Sequence, residues 1–545
     1  MASEPANGAE ASGSGQDDGR WRATWARLLA SFEEEAGEPP GVAGAPLELW
    51  EAELLARLLA EELHSSGAGP PYRRAAARRL LPPDLMAGID TSLAVCERRF
   101  RQAAGRAWAK QASEAELATA ASLERSGDLA GAGEAYARAL AVGAPRPVDT
   151  RLRFAQLLRV LGAGEGREGP AGTTCEEQLR LALEPAPSAP GAARAAGRRG
   201  ALGRLAFFLC QEGREEEALP LLRSGGWRYR LAPWVLRYPA AQEEEPAAPC
   251  GEPAQTPLRV FDGALPPGML AQLQGLLAPG SAFWREHGYN EVLGSGEAGY
   301  FSYRHELGGP PRSAMDLVIR HALELAREHF PALSEATAAE WWAHCRPHAC
   351  GHQLHFDSDN EGIGGARHPI CSCVTFVEAP PGVGGPTLVT DQRLSDNALA
   401  AQGWLVYPRQ GRMAVYDGSV LHGVVPGWGP APAAGGPQAR RVTWMVAFWR
   451  EVAERPFGRD GLPGSSRPLP DPKEAFAAGP RSYSWHQQLA LPAPFEQDGG
   501  TAAPQLVAVS ARPSVWVAVD GGAPATAAAD GRPSALPSYA ECFQF

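Results

Sequence analysis

The 545-residue chain contains no stretch approaching the ~20 consecutive apolar residues that a membrane-spanning helix needs, so no membrane partner is expected. It also lacks a basic excess. With 51 Lys and Arg against 62 Asp and Glu, the net charge of −11 argues against nucleic acid as the main partner. The nine cysteines are scattered and odd in number, and show neither a disulfide framework nor a zinc-ligand spacing, which suits a reducing compartment. The opening MASEPANGAEASGSGQDD is acidic and small, without the basic start and apolar core of a secretory signal or the arginines of a transit peptide. A disordered N-terminus over residues 1–20 and a cytoplasmic address are therefore the expectations. An apolar fraction of 44% is ordinary for globular proteins, and the length predicts two or three domains.

Helical periodicity comes first along the chain. Residues 21–112 carry amphipathic runs, with Leu47, Trp50, Leu54, Leu58 and Leu59 on one face. Over residues 113–240, Ala120, Leu123, Gly127, Ala132, Tyr136 and Ala139 alternate small, large, turn and aromatic positions. Leu205, Ala206, Leu209, Gly213 and Ala218 repeat the same offsets. This pattern resembles tetratricopeptide repeats, in which small residues let helix pairs nest and stack. The Pro, Glu and Ala content of residues 241–257 marks a linker. After residue 452 a C-terminal extension, 453–545, loosens the pattern, although QLVAVSARPSVWVAVDGG alternates well enough for a hairpin or edge strands.

The chemistry-bearing stretch lies between, in residues 258–452. WWAHCRPHACGHQLHFD places His355 and Asp357 two apart in a strand-like run, hence on one side of it. GRMAVYDGSVLHGVVP supplies His422 at the end of a second such run. Two imidazoles and one carboxylate form a facial set that leaves coordination positions open on Fe(II). By spacing, His352 falls three before His355 and so on the opposite face of a regular strand, while Trp342, His344 and Arg346 share one parity and line the pocket or pack structurally. Gly384 and Gly385 make a turn into a strand beginning near Thr387. Cys371 and Cys373 share a strand face as small buried hydrophobes. Arg441 and Thr443 share the parity of a final strand, where an arginine holds a carboxylate in a two-pronged bond.

In order, His-x-Asp, Gly-Gly-x-Thr, Gly411-Arg412, Asp417, His422-x-x-x-Pro426 and Arg441-x-Thr443 resemble the Fe(II)/2-oxoglutarate dioxygenase superfamily, in its prolyl-hydroxylase-like branch. The resemblance implies an α+β protein: a helical repeat domain followed by a double-stranded β-helix (jelly-roll) oxygenase domain. It implies iron on His355, Asp357 and His422, the distal carboxylate of 2-oxoglutarate on Arg441 and Thr443, and ascorbate as a candidate accessory reductant. The family places its basic residue about ten positions after the second histidine. Here Arg441 comes nineteen positions after His422, behind GWGPAPAAGGPQA, which leaves Arg440 as a rival for the clamp. The function implied is hydroxylation of a C–H bond with O₂, releasing succinate and CO₂, on a protein or peptide bound through the repeats. Oxidation of a small molecule, or an inactive helical-repeat scaffold, stand as alternatives.

Overall fold

The computed structural model describes residues 109–543, except residues 163–167, 185–190, 239–255, 291–294, 297–300, 360–366, 396–398, 430, 432–438, 453–465, 470–482, 494–502 and 521–541. The expected disordered N-terminus, the helices before residue 109 and nearly all of the linker lie outside the described residues. The chain divides into two compact units, Met1–Ala112 and Ser113–Phe545, and the helix pairs, the sheets and the candidate site all belong to the second.

Successive helices pack on one another, and two of the turns between them are made at glycines. A helix ending at residue 126 turns at Gly127 (φ +83°) into Leu129–Val142, which Asp128 caps by accepting from Gly131 N at 2.9 Å. Pro147–Val160 is followed by the short helix Cys175–Leu181, which starts on a reciprocal Thr174–Glu177 capping box. Gly191–Gln211 turns at Gly213 (φ +74°) into Glu215–Ser224. Ala120, Ala132, Tyr136 and Ala139 are buried, as are Leu205, Ala206, Leu209 and Ala218.

The remainder is a mixed structure of many antiparallel strands in two facing sheets. The eight-stranded sheet runs in the order Arg467–Pro468, Tyr303–Glu306, Ala338–Pro347, Arg440–Trp449, Cys371–Glu378, Met413–Asp417, Leu258–Asp262, Gln505–Val507. The five-stranded sheet runs Arg512–Pro513, Gln402–Val406, Thr387–Arg393, Val420–Val424, His352–His355. From residue 338 onward the chain winds back and forth between them. Phe376, Ala414, Tyr416 and Met445 from one sheet meet Val389, Trp404, Val406 and Val420 from the other in a shared core. The outer face of the larger sheet carries Cys371, Cys373, Val442, Trp444 and Val446 against the helix Ala314–Arg327, itself started by a Ser313–Asp316 capping box. Strand alternation therefore leaves Ser372, Thr443 and Met445 pointing between the sheets.

The helix pairs are not a separate globule. Leu354, Leu388 and Leu421 of the smaller sheet, and Val425 just beyond it, share one core with Phe154, Leu205, Leu209 and Leu236 of the helices. The late alternating stretch forms edge strands, each in a different place. Gln505–Val507 adds to Leu258–Asp262, Arg512–Pro513 to Gln402–Val406, and Trp516–Ala518 to Tyr229–Leu231. One short segment thus ties both sheets to the helical half.

Candidate metal centre and anion pocket

His355 and His422 are directly opposed across an antiparallel pair, and their rings lie 4.4 Å apart. Asp357 follows the first strand by two residues. Its Oδ1 sits 3.4 Å from His355 Nε2 and 3.6 Å from His422 Nε2, and the three candidate ligand atoms lie within 4.8 Å of one another.

The remaining polar atoms of these three side chains are tied elsewhere. His355 Nδ1 donates to Gln353 O at 2.8 Å, and His422 Nδ1 to Val420 O at 3.0 Å, which fixes the tautomer that leaves each Nε2 lone pair facing the centre. Ser372 Oγ donates to Asp357 Oδ2 at 2.7 Å, leaving Oδ1 for the centre. Burial alone would raise the Asp357 carboxyl, but His422 and His355 hold it well below the usual range, so it is a carboxylate at neutral pH. Two imidazole nitrogens and one carboxylate oxygen, each oriented from behind, fit a divalent first-row ion bound on one face with positions left open. The Asp357 and His422 side chains are 9% and 6% exposed, whereas His355 is 37% exposed, so access is from the His355 side.

His352 departs from the regular-strand expectation. Between the pairs His355↔His422 and His352↔Val424 the register shifts, three steps on one strand opposing two on the other. This bulge turns His352 onto the face of His355, and the rings stack at 4.7 Å and 19°. His344 follows His352 at 5.3 Å. Burial, then Arg346, depresses both imidazoles well below their ordinary range, so a neutral His352 ring stacks on the ligand with a neutral His344 edge-on behind it.

Arg441 and Thr443 share the inward parity, and Arg441 is only 2% exposed, whereas Arg440 is half-buried. The Arg441 guanidinium bonds main-chain carbonyls: Gly384 O at 3.0 Å and Pro347 O at 3.4 Å from Nη1, and Cys350 O at 2.5 Å from Nη2. Gly385 (φ +98°) lies flat against it, and a Cβ there would come within 2.1 Å of Nη1. The cross-strand partner of Arg441 is Arg346, which donates to Gly351 O and faces His352 Nδ1 at 3.1 Å. Among the described residues neither arginine has a carboxylate partner. Burial, with Arg346 opposite, pulls the Arg441 guanidinium down to about 10. Two apposed cations, Arg441 buried and Arg346 half-buried, without counter-charge among the described residues, make a pocket suited to an anion. Thr387 Oγ1, His344 Nε2 and Arg346 Nε are buried there without hydrogen-bond partners.

Of the other residues in the pattern, Arg412 forms a two-pronged pair with Asp262, at 2.7 and 3.2 Å, that latches neighbouring strands. Asp417 pairs with Arg393 and accepts from Ser419, holding a turn. Two contributors are not evident from the sequence. Ser372 is overshadowed by the cysteines on either side, although strand alternation alone turns it away from them. Tyr238, from the helical half, accepts from Gly385 N at 3.0 Å and so supports the glycine turn under Arg441. Nothing in the sequence ties it to a strand turn so many residues away.

No family model matches the chain, and no curated protein does. Among solved structures, it is similar to a Pseudomonas putida prolyl-4-hydroxylase, at 17% identity and TM-score 0.25, over 36% of this chain and 95% of that one. It is similar to AviO1 from Streptomyces viridochromogenes, at 18% identity and TM-score 0.23, over 37% and 93%. It is also similar to SnoK, a non-heme alpha ketoglutarate dependent carbocyclase from nogalamycin biosynthesis, at 12% identity and TM-score 0.24, over 39% and 89%. Among the described residues no helix is long and apolar enough to cross a membrane.

Proposed function

We propose that the protein is an Fe(II)- and 2-oxoglutarate-dependent dioxygenase that hydroxylates a C–H bond in a polypeptide, as a prolyl hydroxylase does. The observation that carries this is the convergence of His355 Nε2, His422 Nε2 and Asp357 Oδ1, with their other polar atoms tied elsewhere. Beside them lie the buried Arg441 and the half-buried Arg346, neither with a carboxylate partner among the described residues. With iron bound, 2-oxoglutarate and O₂ supply an oxidant for an unactivated C–H bond, and the balance is substrate plus 2-oxoglutarate plus O₂ giving alcohol, succinate and CO₂.

The chain's own part is placement. His355, His422 and Asp357 hold the ion. Arg441 with Thr443 holds the distal carboxylate of 2-oxoglutarate, and Arg346 adds a second positive charge opposite. The edge-on His344–His352 pair and the core between the sheets keep water from the inner side. The two sheets are read as the double-stranded β-helix, and the glycine-turned helix pairs with their small buried residues as tetratricopeptide-like repeats that bind the polypeptide. The deciding experiment is an anaerobic titration with Fe(II) and 2-oxoglutarate followed by O₂. Succinate formation that His355→Ala abolishes supports the reading, and absence of succinate in the wild-type protein with any polypeptide supplied removes it.

A further inference from the structure

A half-open groove of about 960 Å³ lies where the helix pairs meet the smaller sheet. One wall comes from Pro147–Val160 and Gly191–Gln211. The other comes from residues 349–353 and Pro426, the segment that leads into His355. Its lining holds four arginines, Arg153, Arg159, Arg199 and Arg204, against a single acid, Asp149, in a chain whose net charge is −11. Such a reversal of sign in one concave place focuses a positive potential there.

The arginines differ in commitment. Arg153 is neutralised by the buried Glu124 at 2.6 Å. Arg159 donates to Gln211 and to Gly427 O and lies over the Phe207 ring at 4.9 Å, and Arg204 reaches only Leu152 O. Among the described residues no carboxylate lies within ion-pair reach of Arg159 or Arg204. Arg199 is held over Trp227 at 4.9 Å. Gly200 and Gly203 keep the wall open, since a side chain at Gly203 would press on Trp227 at 3.2 Å. On the floor, the main-chain carbonyl of Gln353 is the acceptor that orients His355. Amide side chains of Gln156 and Gln353 face the groove beside aromatic rings, a mixture suited to an extended main chain with side chains packed along it.

We infer that this groove binds an acidic segment of a polypeptide, docking its carboxylates on Arg204, Arg199 and Arg159 close to the strand that carries His355. The inference rests on the oxygenase reading only in calling that polypeptide the substrate. A long polyanion such as nucleic acid would meet repulsion from the acidic remainder of the molecule, whereas a short acidic segment is confined to the groove.

The test uses the full chain and fluorescein-labelled oligoglutamate, oligolysine and oligouridylate, with binding read by anisotropy. Oligoglutamate should bind, more weakly as salt rises, and oligolysine should not. Arg204→Glu should weaken it roughly tenfold or more, the effect of removing a charge-assisted contact and adding a like charge. Gly200→Phe, which fills the groove without touching its charge, serves as the second variant and should also weaken binding. No binding of oligoglutamate, binding by both variants as tight as by the wild type, or tighter binding of oligouridylate overturns the inference. Uncoupled 2-oxoglutarate turnover should be unchanged in both variants. Charge-dependent peptide binding with no succinate formed would leave the groove and remove the oxygenase, and succinate without peptide binding would do the reverse.

Discussion

The two ends of the candidate site, the His355–Asp357–His422 cluster and the Arg441 pocket, handle polar groups in opposite ways. At the His355–Asp357–His422 end, the backbone and Ser372 occupy the atoms that are not needed and leave one donor atom of each side chain facing a common point. At the Arg441 end, the guanidinium itself bonds three carbonyls, so its charge is free while much of its hydrogen-bonding fork is committed. A ligand set built this way is organised before anything binds. An arginine built this way does two jobs, holding two loops together and offering a charge, and substituting it tests both at once.

The largest expected effect is at the first end. Asp357→Ala or His422→Ala should abolish the weak visible band that Fe(II) with 2-oxoglutarate gives under anaerobic conditions, and should do so without loss of fold, because few other groups depend on these side chains. An undiminished band in both variants would break the comparison at its stronger side.

At the second end, Arg441→Gln should lower both stability and co-substrate affinity. Hydrogen bonds from a charged donor contribute about 1.5–3 kcal/mol each, so losing the ties to Gly384 and Cys350 should cost about 3 kcal/mol or more, read as a fall in melting temperature. The 2-oxoglutarate requirement should rise about tenfold or more in the same variant, by the same charged-bond magnitude. Arg440→Gln, on the half-buried outer position, should do neither. A normal melting temperature with a raised requirement would show that the carbonyl ties matter little, and the two ends would then be alike.

How much of this the sequence reveals divides along the same line. His355 and Asp357 are legible because a two-residue spacing needs no knowledge of the partner strand, although the strand ends at His355 and Asp357 lies just beyond it. The Gly384-Gly385 turn and a strand starting at Thr387 are legible from backbone preference, and the observed strand is Thr387–Arg393. His352 is not legible, because a bulge is decided by the partner's register, and three steps of spacing reverse their meaning when one residue is extra. The partners of Arg441 come from the end of strand Ala338–Pro347 and from loops distant in sequence. Parity alone turns it inward, but the three carbonyls around it depend on tertiary placement. The union of helices and smaller sheet in one core is equally hidden, since each half carries a complete amphipathic pattern of its own.

His348 sharpens the comparison through pH. It stands beside the Arg441 end, with Nδ1 accepting from Gly384 N at 2.8 Å and Nε2 facing Trp428 O at 3.3 Å, an arrangement that only the neutral ring satisfies. Burial, aided by Arg441 and Arg159, lowers it from the ordinary 6.5 to about 4. Because the folded pKa lies below the unfolded one, the unfolded chain takes up the proton first as pH falls. Stability is therefore full above 6.5 and declines as pH drops toward about 4, by up to about 3 kcal/mol from this group. Urea unfolding of wild type and His348→Leu at about pH 7 and about pH 5 should show a steeper acid loss in the wild type, and parallel losses would remove His348 as the cause.

The smallest expected effect returns to the first end and concerns Ser372. Its hydroxyl bonds Asp357 Oδ2 at 2.7 Å, and both residues are buried, so Ser372→Ala leaves a carboxylate oxygen without its partner rather than opening a void of any size. Partners of metal-bound groups commonly tune affinity by about 10–100-fold, and this one should lie within that range for Fe(II). The fold should be nearly unaffected, since strand Cys371–Glu378 keeps its neighbours on both sides. Cys373→Ser provides the control. It lies on the outer face of the same strand, so its effect should fall on stability and leave iron affinity alone. If Cys373→Ser weakens Fe(II) binding as much as Ser372→Ala does, the strand acts on the site through its backbone, and orientation of Asp357 by a single hydroxyl is wrong.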